Sequence, residues 1–119
     1  MSLNFKYIHT DYLLEISEQN TDFIAHVVSI FFEETPVFLN ELFVAAEAHN
    51  VSDVRRIRHT LRSSFAIIGI SELCKESYFL STEALSDQTC TQIIANREKI
   101  IHQFNCICDE LRTFTESLR

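Results

Sequence analysis

The chain is predicted to be all-α, an antiparallel up-down four-helix bundle with a short extra helix at its N-terminal end. Three observations predict this. Only one Gly and one Pro occur in 119 residues, which leaves little material for hairpins and irregular loops. Apolar residues make up 46% of the chain, enough for the core of one domain of this length. Over long stretches they recur at steps of three and four, the spacing that turns one side of a helix inward. Short connections between such stretches make neighbouring helices antiparallel, so residues 1–119 are expected to form a single domain.

Residues 4–10 read as an extended lead-in whose Phe5, Tyr7 and Ile8 can pack on a bundle end. Thr10 or Asp11 then caps a short helix over about 11–18, through Leu13, Leu14 and Ile16. Asn20 or Thr21 opens the next helix, about 21–49, with Ile24, Val27, Phe31, Phe38, Leu42 and Ala45 on one stripe. Pro36 lies inside it and removes one backbone donor, so a kink near 36, or a break into two helices, is expected. Phe32 and Phe43 fall off the stripe. Either they are exposed for a partner or a broad core takes them in.

Asn50 ends that helix and Ser52 caps a third over about 52–68, with Asp53 in its first turn where the helix dipole favours an acid. Gly69 terminates it, since only glycine enters a left-handed cap without side-chain cost. A fourth helix, about 71–86, carries Leu73, Ser77, Leu80 and Ala84. Thr89 and Gln92 have the capping-box form and open a last helix over about 90–118. Ile93, Arg97, Ile100, Phe104, Ile107, Leu111, Phe114 and Leu118 form its stripe.

The third helix has two contrasting faces. Val54, Ile57, Leu61, Phe65 and Ile68 make a core side. His59 is two residues from both Ile57 and Leu61, so it projects about 160° away from either and faces water. One turn away lie Arg55, Arg56, Arg62 and Ser63, with Ala66 two turns on. The chain carries a formal charge of −7 and a pI near 5.1, which argues against nucleic acid or an anionic membrane as partner. Residues 51–69 hold four Arg against one Asp, so the only strongly basic segment is the one around His59.

No apolar run approaches the roughly 18 residues that span a bilayer. Cys74, Cys90, Cys106 and Cys108 follow no signal peptide, so a reduced cytoplasmic compartment is expected rather than a disulfide framework. Cys106 and Cys108 point about 200° apart on a helix, poor geometry for a shared metal, and Glu-x-x-His pairs are lacking, so no metal site is expected. His9, His26, His49 and His102 have no comparable cluster around them and read as surface residues.

The segment His59-Thr60-Leu61-Arg62-Ser63-Ser64-Phe65, followed by Gly69, resembles the phosphorylation motif of histidine phosphotransfer (HPt) domains. That motif has the form His-x-Leu-Lys/Arg-Gly-small, with a glycine ten residues after the histidine. The resemblance extends from about Tyr12 to Glu83 in the order of helical segments. It departs from the motif at Ser63, where glycine is usual, and at Arg62, where lysine is common.

The resemblance implies that His59 accepts a phosphoryl group from an aspartyl phosphate and passes it to another aspartate. Arg62, with Arg55 or Arg58, would neutralise the phosphate. Arg55, Arg56, Arg58, Ser63, Ala66 and Gly69 would form the docking face. The implied partners are response-regulator receiver domains and a hybrid sensor histidine kinase. Mg²⁺ belongs to the receiver rather than to this chain, which would be a monomer without kinase activity of its own. The alternative is a helical adaptor that binds a receiver but has lost transfer.

Overall fold

The computed structural model describes residues 5–70 and 85–118, which are 81% helical. Five helices are present among them: α1 Asp11–Ile16, α2 Thr21–Glu47, α3 Val51–Ile68, α4 Asp87–Ala95 and α5 Arg97–Ser117. The all-α class is therefore as expected. The helix expected over 71–86 lies outside the described residues, except for Leu85 and Ser86 at its end.

α1 is shorter than expected. Ser17 closes it with its hydroxyl on the Leu14 carbonyl, and Glu18 and Gln19 turn the chain at φ 53° and 61°. The Asn20 side chain accepts the Phe23 N–H and starts α2, which runs unbroken through Pro36. Its 27 residues give a rod about 40 Å long, against which α3, α4 and α5 all pack, while α1 packs on α3.

Three cap positions differ from the sequence reading. α2 ends at Glu47, and after the turn at His49 (φ 52°) it is Asn50 that caps α3, accepting the Asp53 N–H. Ser52 is then already helical. Ser86 rather than Thr89 caps α4, with Thr89 answering from the third helical position as the return half of the box. The expected single last helix is also interrupted at Asn96. Its side-chain Nδ2 donates to the Gln92 carbonyl, competing with its own backbone N–H for that acceptor, which disturbs the helix for one residue before α5 resumes.

The core holds the expected α3 stripe of Val54, Ile57, Leu61, Phe65 and Ile68, all at 2% exposure or less. Phe31 of α2 is its centre, with its ring 5.3 Å from Phe65 of α3 and 5.8 Å from Phe104 of α5. Such ring pairs add roughly 0.5–1.5 kcal/mol each beyond the area they bury. Phe43 belongs to the core too, with Arg97 lying over its ring at 4.9 Å. Phe32 is half-buried under Arg112. The broad core thus takes in Phe43 fully and Phe32 partly, because α5 supplies arginine stems to cover them.

The lead-in lies across one end of the helices as a strap. The Glu110 carboxylate accepts from the backbone N–H groups of Lys6, Tyr7 and Ile8, at 3.1, 2.9 and 3.2 Å. Beyond it, Ile8 bridges Ile70, and the His9 N–H donates to the Gly69 carbonyl. Phe5 sets its ring edge-on against Phe114, so the strap is held by packing as well as by hydrogen bonds.

Candidate functional site

α3 carries the candidate site. Its buried stripe fixes the rotation of the helix, and that rotation turns His59 into solvent. The imidazole makes no hydrogen bond among the described residues. Arg55, four residues before it, and Arg62, three after, are exposed one turn to either side and form no ion pair among the described residues. Two cations therefore flank an accessible ring nitrogen.

Ser63 and Ala66 complete the small, exposed surface beside the ring. The Ser63 hydroxyl donates back to the His59 carbonyl at 3.2 Å, so it lies along its own helix rather than reaching over the imidazole.

Two residues expected on this face lie elsewhere. Arg58 is buried, at 8% exposure. It follows Val54 by four residues, about 400°, and so lies only about 40° round the helix from that core residue. The resemblance implied the surface, but position puts it inside.

Gly69 is the left-handed C-cap of α3, at φ 73° and ψ 56°, as expected. The strap covers it. A Cβ there would stand 2.0 Å from the His9 carbonyl oxygen, so the glycine permits two backbones to touch.

Arg56 is exposed but shared. It approaches Asp53 at 3.9 Å and leans toward the α2 side, where it lines a shallow groove with Glu41 and Val44. It can still contribute charge, although such an exposed pair contributes little to stability.

Ile30 and Ile67 carry no motif in the sequence but are exposed in the structure. With Val27, Phe31, Glu34 and Ser64 they line an apolar groove of about 190 Å³ between α2 and α3. Ile67 lies two turns beyond His59 and about 80° round the helix. An isoleucine beside the core residue Ile68 was its only trace in the sequence.

Among the described residues the remaining polar groups do not build a second site. His9, His26, His49 and His102 are exposed, His49 near Asp87 at 3.7 Å and His102 against Cys106 at 3.6 Å. No group of three or more His, Cys, Asp or Glu side chains is arranged to hold a metal among the described residues. Burial pushes the Cys108 thiol up to about 11, and burial together with the Asp87 charge raises Cys90. Among the described residues no helix is long and apolar enough to cross a membrane. No family model, curated protein or solved structure matches the chain.

Proposed function

We propose that the chain is an HPt-type phosphocarrier, built as an antiparallel up-down four-helix bundle, that relays phosphoryl groups between receiver domains of a two-component system. The observation that carries the reading is His59 held in solvent between exposed Arg55 and Arg62, on a helix whose other face is core. A carrier needs little more than an in-line nucleophile and a counter-charge.

The unprotonated ring nitrogen of His59 attacks the phosphorus of a receiver's aspartyl phosphate. The N–P bond forms as the P–O bond to the carboxylate breaks, and the aspartate leaves with the electron pair. The reverse sequence on a second receiver regenerates free imidazole. Arg62 and Arg55 lie where they can offset the nearly two negative charges of the transferred group, while Ser63 and Ala66 leave room for the receiver surface. The receiver supplies Mg²⁺ and the acidic residues that bind it. The carrier turns over neither ATP nor a small substrate.

The test is incubation with a phosphorylated receiver and Mg²⁺. Acid-labile, base-stable label on the wild type, lost in His59→Gln, is the expected result. Label that survives His59→Gln would sink the reading. Receiver binding without label would assign the chain to the adaptor class instead.

A further inference from the structure

Four of the exposed large apolar side chains lie on α2 at a strict seven-residue spacing: Phe23, Ile30, Val37 and Val44, at 45%, 39%, 57% and 59% exposure. Residues seven apart on a helix drift by only about 20°, so the four form one stripe, about 32 Å long, on the side away from the core. The stripe is bordered on the α3 side by the two grooves described above, one at Ile30 and one at Val44. Scattered single apolar residues are ordinary on a surface, but a regular row the length of a helix matches the period of a second helix laid beside it.

Charge selects the occupant. α2 contains Asp22, Glu33, Glu34, Glu41 and Glu47 and no Lys or Arg. Glu47 is taken up by Arg97 at 3.1 Å. The other four form no ion pair among the described residues, and Glu34 and Glu41 stand within about 40° of the stripe. A second α2 would set acid against acid, and anionic lipid would meet the same repulsion.

We propose that this side of α2 docks a basic amphipathic helix of a partner protein, apolar at heptad spacing and flanked by Lys or Arg. The proposal does not depend on phosphotransfer. It uses a different helix from the one that carries His59.

The probe is a synthetic 21-residue helical peptide with Leu at alternating three- and four-residue steps and Lys at the flanking positions, titrated into the whole chain by fluorescence anisotropy. Saturable binding is expected, weakened about tenfold or more by Val37→Ala/Val44→Ala and by Glu34→Gln/Glu41→Gln. Both double variants alter exposed side chains and should retain wild-type melting curves. Equal binding of a peptide of the same composition with scrambled order would overturn the proposal, since charge alone would then account for it. Failure of the ordered peptide to bind would do the same. So would a wild-type dimer in sedimentation that Val37→Ala/Val44→Ala dissolves, or binding to phosphatidylserine vesicles lost in that variant, because each names another occupant.

Discussion

Gly69→Ala separates a packing role for this glycine from a docking role. An L-residue at φ 73° carries a left-handed strain of roughly 1–2 kcal/mol. Its Cβ would also stand 2.0 Å from the His9 carbonyl oxygen and 2.9 Å from the carbonyl carbon, so the strap must lift. Lifting it loses the His9 to Gly69 hydrogen bond, a further net cost of about 0.5–1.5 kcal/mol. The expected destabilisation is about 1.5–3.5 kcal/mol, a large share of a typical 5–15 kcal/mol total, with a fall in Tm on the order of 10 °C. Urea unfolding followed by circular dichroism measures it.

Gly69→Asn divides the two causes, because Asn tolerates the left-handed region but still brings a Cβ. If contact with the strap dominates, Asn recovers less than half of the loss. A Gly69→Ala chain within 1 kcal/mol of wild type would refute the reasoning. Below its melting range, the folded Gly69→Ala protein should take label at His59 as wild type does, because the glycine lies under the strap.

Glu110→Ala should cost about 1–3 kcal/mol, since it leaves three strap N–H groups without their acceptor; hydrogen exchange should quicken at residues 6–8 and not in α3. Phe43→Ala should cost about 3–5 kcal/mol because the ring is 3% exposed, whereas a loss under 1 kcal/mol in thermal unfolding would return Phe43 to the surface. Arg62→Ala should slow phosphoryl transfer at least several-fold and leave the melting curve unchanged, which single-turnover labelling can read. Cys108, with its thiol raised from near 9 to about 11, binds its proton more firmly folded than unfolded. Its contribution is complete below pH 9 and is lost as pH rises toward 11. Cys108→Ala should therefore flatten the decline in urea stability across that interval, and an unchanged slope would count against the assignment.

The rotation of α3 was legible in the sequence because five large apolar residues at three-four spacing admit only one inward face. His59 followed from that rotation, and Gly69 as a left-handed cap followed from being the chain's one glycine. Arg58 was assigned to the docking face by the resemblance alone, although the periodicity that placed Leu61 inward placed Arg58 beside it. Cap positions slipped by two or three residues where polar candidates cluster, at Asn50 with Ser52 and at Ser86 with Thr89. The interruption at Asn96 could not be seen, since the apolar pattern passes through it undisturbed. Nor could the cover over Phe43, because it depends on Arg97 arriving from 54 positions away.

Glu110 captures residues that precede it by 102 to 104 positions. During synthesis at roughly 5–20 residues per second, Lys6, Tyr7 and Ile8 are made some 5–20 s before their acceptor exists. α2 and α3 have that interval in which to pair, and the clasp can only close afterwards. The amides of residues 6–8 should gain protection last in a pulse-labelled refolding time course, after those of α2 and α3.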